Sequence, residues 1–332
     1  LSDVTMLLQW QSIMATFKNY DFLTRCSHSN MPVDQTVYAG AQGYDFMLIN
    51  GWYKPVHEMK RGIFERWRLV NGMSHRYIGY EVSDKCEAYA IASDGVYYDK
   101  PRQQKYIGLS LGARMDILIA CDESNEAHSN EPSWLSEGQF THIFGSDPGF
   151  YQHMFMNISV TEPTAEDQKM KEASDYIRKS ISSGTFTLDS GYLGMDLTQG
   201  TDEEWYATSG GEYVPTDVMD TAAFYNPKLS DGHNTVTEWY TMNFKEYNGR
   251  IQRRVRLNQL NIWNVTHKPK LIMGHHKNHN WHLHSYHFQI MKMIDMRGNE
   301  YYESPMKDWQ AGDWRDTVSV PCNGTVYVRF KP

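Results

Sequence analysis

Six of the 14 histidines fall between positions 275 and 287: His275, His276, His279, His282, His284 and His287. The tightest unit is His279-Asn280-Trp281-His282-Leu283-His284. Side chains two apart on a strand share a face, so His282 and His284 project together, with His279 one step before them on the approach. Neutral imidazole suits copper, zinc, iron and nickel, and the flanks offer no thiolate. A structural zinc site needs four ligands, usually with Cys, and the chain has no second cluster to supply them. A metallohydrolase needs an Asp in the manner of H-x-H-x-D-H, but Ser285 and Tyr286 stand there. The plain alternative is a solvated polar segment. His275, His276 and His287 read as solvated side chains or neighbours of ligands rather than as ligands.

Other reactive side chains give less. Cys26, Cys86, Cys121 and Cys322 show no C-x-x-C spacing, which excludes a zinc ribbon or a thioredoxin-like redox pair. One or two disulfides in an oxidising compartment fit better than buried thiols. Acceptor sequons stand at Asn157, Asn264 and Asn323, candidate glycosylation sites that support a secreted or cell-surface location only weakly. Met291 and Met293 read as core packing, Asp202-Glu203-Glu204 as a solvated loop, and Asp316 as a hydrogen-bond acceptor at a strand end.

These groups need a frame. The length of 332 residues suggests two domains. A net charge of −8 argues against nucleic acid as a partner. With a mean hydropathy of −0.62 and no apolar run of about 18 residues, no transmembrane segment is expected. Aromatic residues at 14% favour sheets over helical bundles. The first residue is Leu1, so either a targeting segment has been removed or the chain begins inside a longer protein.

Short strands are predicted through 1–161, at Val4–Leu8, Phe46–Ile49, Glu65–Val70, Tyr89–Ala92 and Met115–Ile119. Asn50-Gly51, Asn71-Gly72 and Asp94-Gly95 punctuate them as positive-φ turns. Met170, Ala173, Ile177 and Ile181 fall at helical spacing, with Thr164 as N-cap and Ser182-Ser183-Gly184 as stop. This places one amphipathic helix in a linker over 162–231, whose later part has no sustained period. Strands resume in 232–332, with clean alternation at Arg253–Leu257 and Val326–Phe330 and a turn at Asp295–Asn299.

The histidine segment, continuing to Phe288-Gln289-Ile290, resembles the H-P-x-H-x-H-G-x-x-F-x-V motif of multicopper oxidases. Four further stretches resemble that family in the right order. They are Leu48-Ile49-Asn50-Gly51 with Arg66-Trp67-Arg68-Leu69-Val70-Asn71, Ile91-Ala92-Ser93-Asp94-Gly95, Gly112–Ile119, and Trp314-Arg315-Asp316-Thr317-Val318. Residues 122–250 show no clear correspondence. The resemblance implies an all-β chain of tandem cupredoxin-like Greek-key β-sandwiches, matching the family's second and third domains, the latter incomplete at its C-terminal end.

By motif position the resemblance makes His279 a ligand of type 1 copper, His282 of type 2 and His284 of type 3. It implies a copper-dependent oxidoreductase that couples one-electron oxidation of a small reductant or metal ion to reduction of dioxygen to water. Asn280 replaces the usual Pro, and Ser285 the usual Gly. His282/His284 is the sole His-x-His pair, and Cys322 has no histidine neighbours, so neither the first-domain pairs nor the final His-Cys-His segment of the family is present. Another chain or domain would have to complete the copper cluster. The alternative is a non-catalytic cupredoxin-like extracellular glycoprotein with a structural or assembly role.

Overall fold

The structure, a computed structural model, describes residues 2–12, 45–73, 77–129, 153–189, 217–226, 235–242, 245–246, 255, 257, 260–267, 279–321 and 323–332. Its N-terminal half contains β1 (Ser2–Ser12), β2 (Asp45–Ile49), β3 (Trp52–Tyr53), β4 (Val56–Lys60), β5 (Glu65–Asn71) and β6 (Ile78–Glu81). There follow β7 (Cys86–Ser93), β8 (Val96–Gln103), β9 (Tyr106–Leu109), β10 (Arg114–Cys121), β11 (Asn125–Ser129) and β12 (His153–Thr161). They form a seven-stranded sheet, β3-β2-β1-β5-β10-β7-β8, facing a five-stranded one, β4-β12-β11-β6-β9.

Strand β5 shows how sequence becomes fold. Glu65, Trp67, Leu69 and Asn71 are buried while Arg66, Arg68 and Val70 are not, the period of two that a half-covered strand requires. Trp67 sits between Val4 of β1 and Ile117 of β10 and packs into a core with Met6, Leu8, Leu109 and Phe155. Burying a side chain of this size contributes roughly 2–3 kcal/mol. A disulfide joins Cys86 and Cys121 at paired positions of β7 and β10. Cys26 and Cys322 lie outside the described residues.

Helix α1 (Gln168–Ser182) follows a short 3-10 turn whose start is fixed by Thr164: its N–H and hydroxyl both donate to Asp167 Oδ2, at 2.8 and 2.9 Å. The helix stops at Ser183, with Gly184 at φ 70°. Its contact face differs from the expected one, because Ala173 is exposed and Ser174 is buried. The small Ser174 accepts the Phe64 N–H (2.9 Å) and returns its own proton to Met170 O, so the helix can approach the sheet closely. Phe64, Ile91 and Leu118 fill the space beneath, with Ile177 packed on them.

The C-terminal half contains β13 (Asp217–Asn226), β14 (Thr235–Met242), β15 (Lys245–Glu246), β16 (Asn261–His267) and β17 (His279–His282). It continues with β18 (Phe288–Ile294), β19 (Glu300–Tyr301), β20 (Trp314–Arg315), β21 (Thr317–Val320) and β22 (Thr325–Phe330). The main sheet runs β15-β14-β13-β16-β22-β18-β19 with β20 beside β18, and β17 pairs with β21 as a separate ribbon. Trp263, Trp281, Phe288, Val318 and Phe330 form the core between them. Tyr77 and Tyr106 of the N-terminal sandwich join this second core, so apolar packing runs from one sandwich into the other. Among the described residues no helix is long and apolar enough to cross a membrane.

Three local expectations change. Strand β13 lies inside the stretch read as linker and pairs over its length with β14 and at its start with β16, so the second sandwich begins before residue 232. Its sequence does not alternate, and pairing by neighbours decides the strand instead. Of the predicted strand at 253–257, Val255 and Leu257 are exposed and outside any strand, and the other positions lie outside the described residues. Alternation names a face but does not supply a hydrogen-bonding edge. Asn50-Gly51 and Asp94-Gly95 do take positive φ (51°, 82°; 49°, 87°), whereas Asn71-Gly72 does not. There Asn71 is buried and bonds Leu109 O at 3.0 Å, and a Cβ on Gly72 would meet Leu7 Cδ1 at 2.7 Å. Glycine serves close approach at that point.

Candidate metal centre

The histidine segment forms β17 and the bend after it. Antiparallel pairing sets His279 opposite Val320, Trp281 opposite Val318 and His282 opposite Thr317. Trp281 is buried in the core, which holds the ribbon to the sandwich, while His282 and His284 are exposed. Their rings lie 4.8 Å apart, edge to face, although His284 is past the end of the strand. The chain turns there through Ser285 at φ 71°, a left-handed conformation that glycine adopts without penalty.

Hydrogen bonds fix the imidazole tautomers. His282 Nδ1 is 2.8 Å from the carbonyl oxygen of Asp316 and 2.9 Å from Thr317 Oγ1. A carbonyl only accepts, so Nδ1 carries the hydrogen and Nε2 the lone pair. The Thr317 hydroxyl donates to Asp316 Oδ1 at 2.8 Å, which leaves its oxygen to accept from His282. By the same reasoning His279 Nδ1 donates to Asn280 O at 2.7 Å. His287 Nε2 donates to Asp94 O at 2.9 Å, a contact with the N-terminal sandwich.

Around these rings the two sandwiches meet through charges. Arg114 grips Asp316 with both guanidinium nitrogens, at 2.7 and 2.5 Å. Arg102 does the same to Asp313, at 2.7 and 2.6 Å, while lying on the Tyr98 ring. Arg315, fully buried, donates Nε to Asp94 Oδ2 at 2.8 Å and Nη1 to Asp308 O at 2.6 Å. Asp94 also receives the N–H groups of Asp316 and Thr317, both at 3.2 Å. Burial pushes the Asp316 carboxyl up, but the Arg114 fork and the Thr317 hydroxyl outweigh it and hold it below the usual carboxylate range. Asn280 donates Nδ2 to Leu111 O of the N-terminal sandwich, a bond the Pro of the family motif could not make.

Sequence reasoning passed over one ring. His267 at the end of β16 is 1% exposed and lies 5.6 Å from the His279 ring. Burial, with His279 beside it, pulls its imidazole down to about 3, so it is neutral. No spacing rule links positions 267 and 279, and only the sheet brings them together. His275 and His276 lie outside the described residues. Of the sequons, Asn157 and Asn264 sit within β12 and β16, and Asn323 occupies an exposed turn at φ 52°.

Among the described residues no three His, Cys, Asp or Glu side chains converge to hold a metal ion. What they offer is an exposed pair of imidazoles, one with its Nδ1 held by Asp316 O and Thr317 Oγ1. That donor set suits copper as part of a larger site.

A multicopper oxidase family model matches residues 223–332. A multicopper oxidase of Staphylococcus aureus is 34% identical over 91 residues, 27% of this chain and 20% of that protein. The cell division protein FtsP of Yersinia pestis is 32% identical over 82 residues, 25% of this chain and 17% of that one. In three dimensions a multicopper oxidase of Pediococcus acidilactici matches all of this chain with a TM-score of 0.56 and 16% identity, over 53% of its own length. One from Campylobacter jejuni matches 86% of this chain, and 51% of itself, with a TM-score of 0.54 and 17% identity. The chain thus spans about half the length of the solved oxidases whose fold it shares. The multicopper oxidase family model matches the C-terminal third of the chain, and the tandem-sandwich fold of those solved oxidases extends along it.

Proposed function

We propose that this chain is part of a copper-dependent oxidoreductase that couples one-electron oxidations of a small reductant or metal ion to reduction of dioxygen to water. In this reading His279, His282 and His284 contribute ligands, of type 1, 2 and 3 copper respectively, and further ligands come from another domain or chain. The observation that carries it is the His282–His284 ring pair, 4.8 Å apart on a segment inside the matched family region. Copper bound there would supply the one-electron redox chemistry and the affinity for dioxygen. The chain's own residues prepare the place. Asp316 O and Thr317 Oγ1 hold the proton on His282 Nδ1, and buried Trp281 anchors the ribbon. The Cys86–Cys121 disulfide supports a secreted or otherwise oxidising location.

The test is copper content after reconstitution, followed by dioxygen uptake with phenolic and ferrous reductants. His282→Ala and His284→Ala should each lose copper and abolish uptake, whereas retention of both would overturn the ligand assignment. The similarity to a cell division protein favours a second reading, in which the same sandwiches serve assembly without turnover. Copper near zero after reconstitution of the intact protein would select that reading.

A further inference from the structure

The ligand His282 belongs to the C-terminal sandwich, yet the groups that fix it are held from the other one. Asp316 supplies the carbonyl that takes the Nδ1 hydrogen of His282, and Thr317 the hydroxyl. The Asp316 carboxylate orients that hydroxyl by accepting its proton at 2.8 Å. Carboxylate oxygen Oδ1 is itself only 3.5 Å from His282 Nδ1, and Oδ2 is 3.9 Å from His287 Nε2. A carboxylate so near a donor would take it in preference to a hydroxyl, because charge-assisted bonds are about twice as strong. Arg114 prevents this by engaging both oxygens, at 2.7 and 2.5 Å.

We propose that Arg114 of the N-terminal sandwich is a positioning residue for His282: by occupying both carboxylate oxygens of Asp316, it leaves the Nδ1 hydrogen to the Asp316 carbonyl and the Thr317 hydroxyl and so sets the ring orientation in which Nε2 is presented. The inference rests on the reading of His282 as a copper ligand. Two features argue for Arg114 over a diffuse effect of docking. Its fork is bidentate, which a lysine cannot reproduce. The backbone it controls is held in place independently by Asp94, through the N–H groups of Asp316 and Thr317, so removing Arg114 frees the carboxylate without releasing the strand. The ligand geometry is therefore completed only when the two sandwiches are docked.

The test is cupric-ion titration of the intact protein, followed by the nitrogen couplings in its electron paramagnetic resonance spectrum. His282→Gln first establishes that the residue binds; unchanged affinity there overturns the ligand reading and this inference with it. Given a loss in that variant, Arg114→Gln should weaken cupric binding about tenfold and alter the nitrogen couplings, the size of effect typical of groups that orient a ligand. Arg114→Lys should recover only part of the loss. Arg102→Gln, which breaks the neighbouring inter-sandwich pair with Asp313, should change affinity less than about twofold. Equal losses in Arg114→Gln and Arg102→Gln, or none in the former, would overturn the proposal while leaving His282 a ligand. If Arg114→Gln does not fold, Thr317→Val removes the oriented hydroxyl and spares the ion pair. Several-fold weaker binding in that variant supports the proposal, and unchanged binding overturns it.

Discussion

Replacing Arg315 by Met tests how the two sandwiches are held together. The guanidinium is 1% exposed at the side chain and its partner Asp94 0%, so the pair is removed from water. Burial opposes the charged guanidinium, but Asp94 and its other neighbours outweigh that effect and raise its pKa, so it stays protonated wherever the fold survives. Methionine keeps the apolar stem and much of the volume, so the loss reports on charge and hydrogen bonds rather than on a cavity. Leaving one partner of a buried pair alone typically costs about 3–5 kcal/mol. Asp94 would keep the N–H groups of Arg114, Asp316 and Thr317, at 3.0, 3.2 and 3.2 Å, and the Arg114 guanidinium at 3.5 Å. That residual compensation sets the expected loss near the lower end, about 3 kcal/mol.

The assay is urea unfolding followed by fluorescence of the 10 tryptophans, with Asp94→Asn and the double variant completing a cycle. The single variants should each lower the midpoint by about 1–2 M. The double variant should be less destabilised than their sum by about 2 kcal/mol, since no unpaired charge remains. Because the pair crosses between sandwiches, the Arg315→Met transition should also broaden or split. A loss below about 1 kcal/mol, or strict additivity, would show that the buried pair does not couple the two sandwiches.

Other expectations are smaller. Ser285→Gly should stabilise the protein by about 1 kcal/mol, because Ser285 holds φ 71° where only glycine is unstrained; a loss of stability would refute that account. Asp295 accepts from Arg297 N, Asn299 N, Asn299 Nδ2 and Tyr301 Oη at 2.8–3.0 Å, and although burial raises its carboxyl these donors hold it below the usual range. Its contribution is then complete above about pH 4 and is lost as pH falls through the folded value. Asp295→Asn should therefore lower the melting temperature by about 2–4 °C at pH 7 and by less at pH 3, and an equal effect at both would refute it. Replacing Cys86 and Cys121 by Ser, which opens a loop of sequence separation 35, should cost about 2–4 kcal/mol by denaturant titration under non-reducing conditions.

Strands β1, β2, β5, β7, β10 and β22 were readable from short apolar or alternating runs bounded by turn residues. Glu65–Asn71 alternates residue by residue, and Asp94-Gly95 takes the two positive φ values its residue types permit. Strand β13 was not readable, since its order comes from pairing with β14 rather than from a pattern of its own. On helix α1 the spacing gave the extent but misjudged the contact face, because Ser174 is buried for its hydrogen bond to Phe64 rather than for hydrophobicity.

Within the candidate centre, the sequence by itself determined which residues carry imidazoles; the His282 and His284 rings meet at 4.8 Å through the bend after β17 rather than through the spacing of one strand. The sequence could not determine which nitrogen of His282 bears the proton. That depends on Asp316 and Thr317 across the ribbon, on Asp94 lying 222 residues before Asp316, and on Arg114 lying 202 before it. Nor could it reveal His267 against His279. Local pattern encodes faces and turns; tautomer, charge pairing and the docking of two sandwiches are set by groups distant in sequence, and only tertiary structure brings them within hydrogen-bonding reach.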